Sequence, residues 1–228
     1  QVITDPIQTI ADLYNIFQNE NERNIFLGAI GQTLFTVIVS FTISFILALV
    51  VAIFSNRFYN LRNILNPTVS VLRSSPTIAI IIILLLVAPW DTISYIVSFM
   101  VIFPLVFENM LTALDHVFNG ELEAAKSLGL NFLQRVNSVY LPNISPALWA
   151  SVISGFGLNY KVVIASEVFG FPKNTIGHNI VAAKQSFDYP QAFLWLVVSI
   201  VLALVIEFIL SKTRNIFSAT IYSKRYNI

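Results

Sequence analysis

The sequence predicts an all-α integral membrane protein, a polytopic helical bundle, and three observations carry that prediction. Hydrophobic residues make up 56% of the 228 and charged residues only 11%, less than half the ~25% usual in a soluble domain. Long apolar runs recur along the chain at close to the ~20 residues a helix needs to cross about 30 Å of hydrocarbon. Lys and Arg gather between alternate runs, as they do where loops stay on one side of a bilayer. Lipid offers no partner to backbone amides and carbonyls, so the runs are helices rather than isolated strands.

Taken in order, residues 1–24 form an extracytoplasmic lead-in, QVITDPIQTIADLYNIFQNENER and the residue after it, with no basic start and apolar core of a signal peptide. The first visible span runs from about Phe26 to Phe54 without a charge. The second covers Pro67 to about Val87 and the third Thr92 to about Leu114. The fourth starts near Pro146 and reaches about Val168, and the fifth spans about Tyr189 to Leu210. Together they make a membrane domain over 25–211, interrupted by a charged loop at 115–145 and followed by a basic tail at 212–228. Asn66 before Pro67 and Ser145 before Pro146 read as helix entries, a capping side chain ahead of a proline in the first turn. Pro76 and Pro104 fall inside spans two and three and should bend them.

Five spans leave the two ends on opposite sides, which sharpens the charge rule. Arg57, Arg62, Lys126, Arg135, Lys212, Arg214, Lys224 and Arg225 share the side of the C-terminus, against Arg23, Lys173 and Lys184 on the other. The C-terminus and the 115–145 loop are therefore expected in the cytoplasm.

That loop holds Asp115, Glu121, Glu123, Lys126 and Arg135. At roughly 2.5–3.5 kcal/mol for each Asp, Lys or Arg at mid-bilayer it cannot span. Ala124, Ala125 and Leu128 are spaced for one helical face, Gly129 can take a left-handed turn, and Leu130, Leu133, Val136 and Tyr140 approximate the stripe of a second short helix. Small alanines beside one glutamate would let another protein's backbone come close while a single charge fixes the register. The letters EAA by themselves also fit an amphipathic helix lying on the membrane surface.

The longer pattern is more specific. Glu123-Ala124-Ala125, three residues, Gly129, nine residues, then Val139-x-Leu141-Pro142 resembles the EAA loop of ABC importer permeases of the first structural type, with Val139 where that family has Ile. The resemblance implies that the loop is a coupling helix docked in a cytoplasmic ATPase, with Glu123, Ala124, Ala125, Gly129, Leu141 and Pro142 at the docking surface. "LRSSPTIAIIIILLL" at 72–86 is similar to the family's L-R-x-x-P-x-x-A segment without the W-F-G that often follows. "NYKVVIASEVFG" at 159–170 and "IGHNIVAA" at 176–183 look like the nitrate, sulfonate and taurine subfamily. The family usually has six spans, which implies a first one ahead of Gln1. It also implies a second permease copy, forming a homodimer, an extracytoplasmic substrate-binding protein, and a small solute as cargo: an anion such as nitrate, a sulfonate or taurine, or a vitamin or its precursor. The expected home is the prokaryotic inner membrane.

Ionisable residues inside spans usually face a bundle interior or a watery path. Arg73, Lys161 and Glu167, with Pro76, are the candidate lining of a translocation path; Arg73 could instead reach the cytoplasmic surface, and Glu167 the outer interface. Glu108 and Glu207 lie nearer the cytoplasmic ends and read as interfacial or paired. His116 and His178 lack companions at metal spacing. The chain has no G-x-x-x-x-G-K-[ST], G-x-S-x-G or H-E-x-x-H, so it is not read as an enzyme, and ATP and Mg are expected on a partner. A net charge of +1 with no concentrated basic face argues against nucleic acid; lipid is the expected surroundings. The competing class is an ion-coupled secondary transporter or channel, with Arg73, Lys161 and Glu167 carrying the coupling.

Overall fold

The structure, a computed structural model, describes residues 13–117 and 119–226, with side chains to residue 213. The first twelve residues of the lead-in and the side chains of the tail beyond 213 thus lie outside the described residues. After a helical stretch over residues 13–18 come α1 (Glu20–Arg57), α2 (Tyr59–Ser74), α3 (Thr77–Val87), α4 (Ile93–Asp115), α5 (Asn119–Ser127), α6 (Phe132–Arg135), α7 (Leu141–Gly170), α8 (Ile176–Gln185) and α9 (Tyr189–Tyr226). Among the described residues, four helical stretches are long and apolar enough to cross a membrane: α1, α4 with its entry turn, α6 through α7, and α9 to Thr213. The pair α2 and α3 adds a fifth crossing if counted as one span.

The centre of the bundle is α4, packed between α1 and α7. One face of α1 carries mostly small residues where it is buried most deeply: Ala29, Thr33, Ser40, Ser44, Ala48 and Ala52, with Val37 the larger one among them. In lipid, apolar side chains gain little by burial against each other, so close backbone approach and cross-helix hydrogen bonds hold helices together, and small residues permit both. Ile102, Val106, Phe107 and Met110 of α4 pack in one cluster with Ala48 and Ala52 of α1. Gly155 of α7 meets Phe41, where an added Cβ would lie 3.1 Å from the ring. Asn159 Nδ2 donates across to the Val37 carbonyl (3.0 Å) and to Ser40 Oγ (3.1 Å).

The proline expectations need correction. Pro67 does not open a helix: α2 begins eight residues earlier in sequence, at Tyr59, and runs through it. Pro146 likewise lies inside α7, which starts at Leu141 with Pro142 in its first turn; Ser145 Oγ donates to the Pro142 carbonyl (3.2 Å) instead of capping. Pro142 is the entry proline, and α6 runs into α7 through a π-turn at Val136–Tyr140, so no loop separates them. Pro76 does more than bend its span. The Leu72 carbonyl, which a continuous helix would offer to residue 76, takes the amide of Ser75 (3.3 Å), because proline has no N–H to give it. Helix α3 then leaves at 96° to α2. Helix α4, by contrast, continues across the buried Pro104.

Candidate coupling and translocation site

The charged loop folds as an elbow whose spacing is fixed by backbone chemistry. At the end of α5, Gly129 has φ of 72°, the left-handed region that L side chains avoid. Its amide donates to the Lys126 carbonyl (2.9 Å), and the Leu130 amide donates to the Ala125 carbonyl (3.1 Å). This is a Schellman closure, which satisfies carbonyls that a helix end otherwise leaves unpaired and sets Leu130 against Ala125. Glycine therefore has to follow the second alanine by four residues. Asn131 then caps α6, accepting from the Gln134 amide (2.9 Å) while Gln134 Oε1 accepts from the Asn131 amide (2.8 Å).

The elbow has two faces, and they divide the predicted residues. Ala125 is 4% exposed and sits among Leu114, Val117, Val139 and Ile144. Glu123, Ala124 and Leu128 face outward, as does Gly129. The expectation that Ala124 and Ala125 share a face is thus wrong by one position in the helical turn: Ala124 pairs with Leu128, and Ala125 belongs to the inside. Glu121 Oε2 accepts from Asn143 Nδ2 (2.8 Å), tying α5 to α7. Leu141 is exposed and Pro142 half-buried at the start of α7.

On the outward side stands an apolar knuckle: Leu128 77%, Phe132 68% and Leu133 70% exposed. The spacing expected to form the stripe of a second short helix includes Leu133 and omits Phe132, and in the structure both are exposed. The Asn131–Gln134 capping box was the available signal, since it fixes where α6 starts and so which way Phe132 and Leu133 turn.

The intramembrane charges fall into three separate settings. Arg73, in the last turn of α2 beside the Pro76 break, forms an ion pair with Glu108 of α4, and its side chain is otherwise exposed. Closer to the elbow, Arg62 grips Asp115 with both Nη atoms (3.0 and 2.7 Å), and Asn56 Nδ2 adds a third bond (3.0 Å). These two pairs pin α2 to α4. Glu167 sits elsewhere, 1% exposed, at the N-terminal end of α8. Its Oε2 accepts from Thr33 Oγ1 (3.0 Å) and the Gly177 amide (3.1 Å), while Thr33 Oγ1 accepts from the Ile176 amide (3.0 Å). A carboxylate at a helix N-terminus meets unpaired amides and the positive end of the helix dipole. Glu167 therefore clasps α8 to α7 and α1. Nothing in the apolar run around Thr33 pointed to that role.

Lys161 is exposed on α7 and lines a groove of about 340 Å³ between α7 and α9, with Ser154 and Gly157 on one wall and Glu207 on the other. The structure thus does not gather Arg73, Lys161 and Glu167 into one cluster. Among the described residues, no group of three or more His, Asp or Glu is placed to hold a metal ion.

The sequence profile described as "Binding-protein-dependent transport system inner membrane component" matches residues 44–213. No curated protein matches the sequence. Among solved structures, the fold is similar to a chain of the MetNI methionine ABC transporter in an inward-facing conformation, with a TM-score of 0.69 and 16% identity over 86% of this chain and 98% of that one. It is also similar to a chain of an amino acid ABC transporter crystallised with histidines, with a TM-score of 0.69 and 18% identity over 93% of this chain and 99% of that one.

Proposed function

Because the chain belongs to the binding-protein-dependent transport system inner membrane components, the permease subunits of ABC importers, we propose that its elbow is the seat of a cytoplasmic ATPase and that the bundle moves a small solute inward. The observation that carries this reading is the knuckle of Leu128, Phe132 and Leu133, exposed on an elbow that the Schellman closure and capping box hold in shape. An exposed apolar cluster on a firmly folded base suits a cleft in a partner. Glu123 and Ala124 border it on α5, Glu123 supplying one charge to set register and Ala124 allowing close approach. Gly129 holds the turn. Leu141 and Pro142 stand where the elbow enters α7, so force on the elbow passes directly into a span.

In this reading the elbow end is cytoplasmic, as the Lys and Arg distribution favours, and the protein sits in the inner membrane of a prokaryote. Two copies form the path. ATP and Mg bind on the ATPases, and this chain contributes no hydrolytic groups. An extracytoplasmic binding protein delivers cargo at the α8 end. Closure of the ATPases shifts the two elbows, which requires them to bind the closed and open ATPase pairs with different affinity. Arg73 at the Pro76 break and Lys161 in the groove are proposed to face the path. Glu167 is proposed to act at its edge, holding α8 in place. The stretches at 159–170 and 176–183 favour a small-anion cargo, whereas the names of the structural neighbours favour methionine or other amino acids.

The test is purification of the chain from its native membrane. A stoichiometric ATPase should accompany it and be lost in Phe132→Asp with the bundle still folded. Uptake should need ATP and survive collapse of ion gradients. Uptake that follows an ion gradient without ATP would support the secondary-transporter reading and refute this one.

A further inference from the structure

Lys161 and Glu207 are opposite charges on neighbouring spans, and they line the same groove without forming an ion pair within 4.0 Å. In a membrane segment, charges usually pair with each other or serve a function. The backbone explains why these two stay apart. Tyr160 Oη donates to the Ser199 carbonyl (2.9 Å) and so fixes the register of α7 against α9. Glu207 lies eight residues beyond Ser199, about 12 Å further along α9. That sets it near the level of Ser154, which precedes Lys161 by seven residues on the antiparallel α7, or about 10 Å. The groove thus has a cationic end and an anionic end, with Gly157 between them. An added Cβ at Gly157 would meet nothing within 4 Å, so this part of the groove is open space.

We propose that this groove is a solute subsite, one in each permease chain, selective for small zwitterions: molecules bearing both a carboxylate or sulfonate and an ammonium group. The acid group is held at Lys161 and the ammonium at Glu207. At about 340 Å³ the groove is of the size that takes such a molecule. A plain anion would gain at Lys161 and be repelled at Glu207, and a plain cation would meet the reverse, so each wall rejects what the other attracts. The proposal deepens the permease reading and depends on it for its place in transport. It assigns to Glu207 a role that its position in the sequence did not suggest.

The test uses the complete permease–ATPase complex in nanodiscs, without the binding protein, and equilibrium dialysis against a radiolabelled panel. The panel comprises the common L-amino acids and taurine as zwitterions, nitrate and methanesulfonate as plain anions, and methylamine and putrescine as plain cations. At least one zwitterion should bind once per permease chain, with plain anions and cations at least tenfold weaker. Lys161→Met and Glu207→Gln should each weaken it tenfold or more, and Gly157→Leu should block it by filling open space. Carboxylate against sulfonate preference is read from the amino acid and taurine arms.

Binding of no zwitterion, equal binding of a plain anion, or wild-type binding in both charge variants overturns the proposal. So does Gly157→Leu separating the two permease copies on native mass spectrometry, because the groove would then belong to the neighbouring chain. ATP hydrolysis by the wild-type sample is measured alongside. Its absence counts against the permease reading, whereas binding in the groove is read regardless.

Discussion

Replacing Gly129 tests whether the elbow is a rigid transmission. Its φ of 72° places it in left-handed space, and an added Cβ there would meet no atom within 4 Å. Substitution therefore carries a backbone cost without a steric one. For an ordinary L residue that cost is about 1–2 kcal/mol, and for a β-branched residue it is higher. A penalty of that size lowers the ratio of closed to open turn by about 5- to 30-fold. When the turn opens, the two amides from Gly129 and Leu130 leave the Lys126 and Ala125 carbonyls, and α6 loses its fixed angle to α5. The expected order of function is Gly, then Asn, which tolerates the left-handed region, then Ala, then Val. The assay is solute taken up per ATP hydrolysed in proteoliposomes containing the whole transporter. Gly129→Val should hydrolyse ATP with little uptake, while Gly129→Asn stays within a few-fold of wild type. The reasoning is refuted if Asn and Val are equally damaging, or if Ala has no effect, since neither follows from a backbone penalty.

The two alanines of the elbow should separate cleanly: Ala125→Leu overpacks the cluster of Leu114, Val139 and Ile144 and should cost about 1–3 kcal/mol in unfolding, while Ala124→Leu leaves unfolding unchanged and weakens co-purification of the ATPase. Gly177→Ala puts a Cβ 2.4 Å from Glu167 Cβ and 2.7 Å from the Val168 amide nitrogen, so α8 must move off α7; thermal unfolding in nanodiscs should fall well below that of Gly28→Ala, where the added Cβ meets nothing within 4 Å. Thr33→Val removes both the donor to Glu167 and the acceptor for the Ile176 amide, with an expected loss of about 1–3 kcal/mol from buried groups left unpaired, seen as faster hydrogen exchange in α8. Arg73→Glu should impair transport, and the double exchange Arg73→Glu with Glu108→Arg should recover part of it if the ion pair holds α2 on α4; no recovery would place the function of Arg73 elsewhere.

What could be read without coordinates was whatever depends on local chemistry. The apolar runs gave the membrane class because lipid satisfies no backbone group. The alanine and glycine spacing gave the elbow because a Schellman closure counts residues within one helix end. The prolines were legible only as punctuation: each removes the same backbone donor, yet Pro67, Pro104 and Pro146 sit inside helices while Pro76 breaks one, a difference the letters around them do not carry.

The charges were the least legible. Their partners are far away in sequence: Arg73 finds Glu108, Thr33 reaches Glu167, and Lys161 shares a groove with Glu207. A run of apolar letters carries no trace of which helix will lie beside it. Composition and short spacing thus determined that this chain crosses a membrane and carries an elbow of two short helices closed at a glycine. Tertiary packing alone decided which face of that elbow looks outward and which intramembrane charges are paired, because both depend on how the helices are placed against one another and not on any local preference.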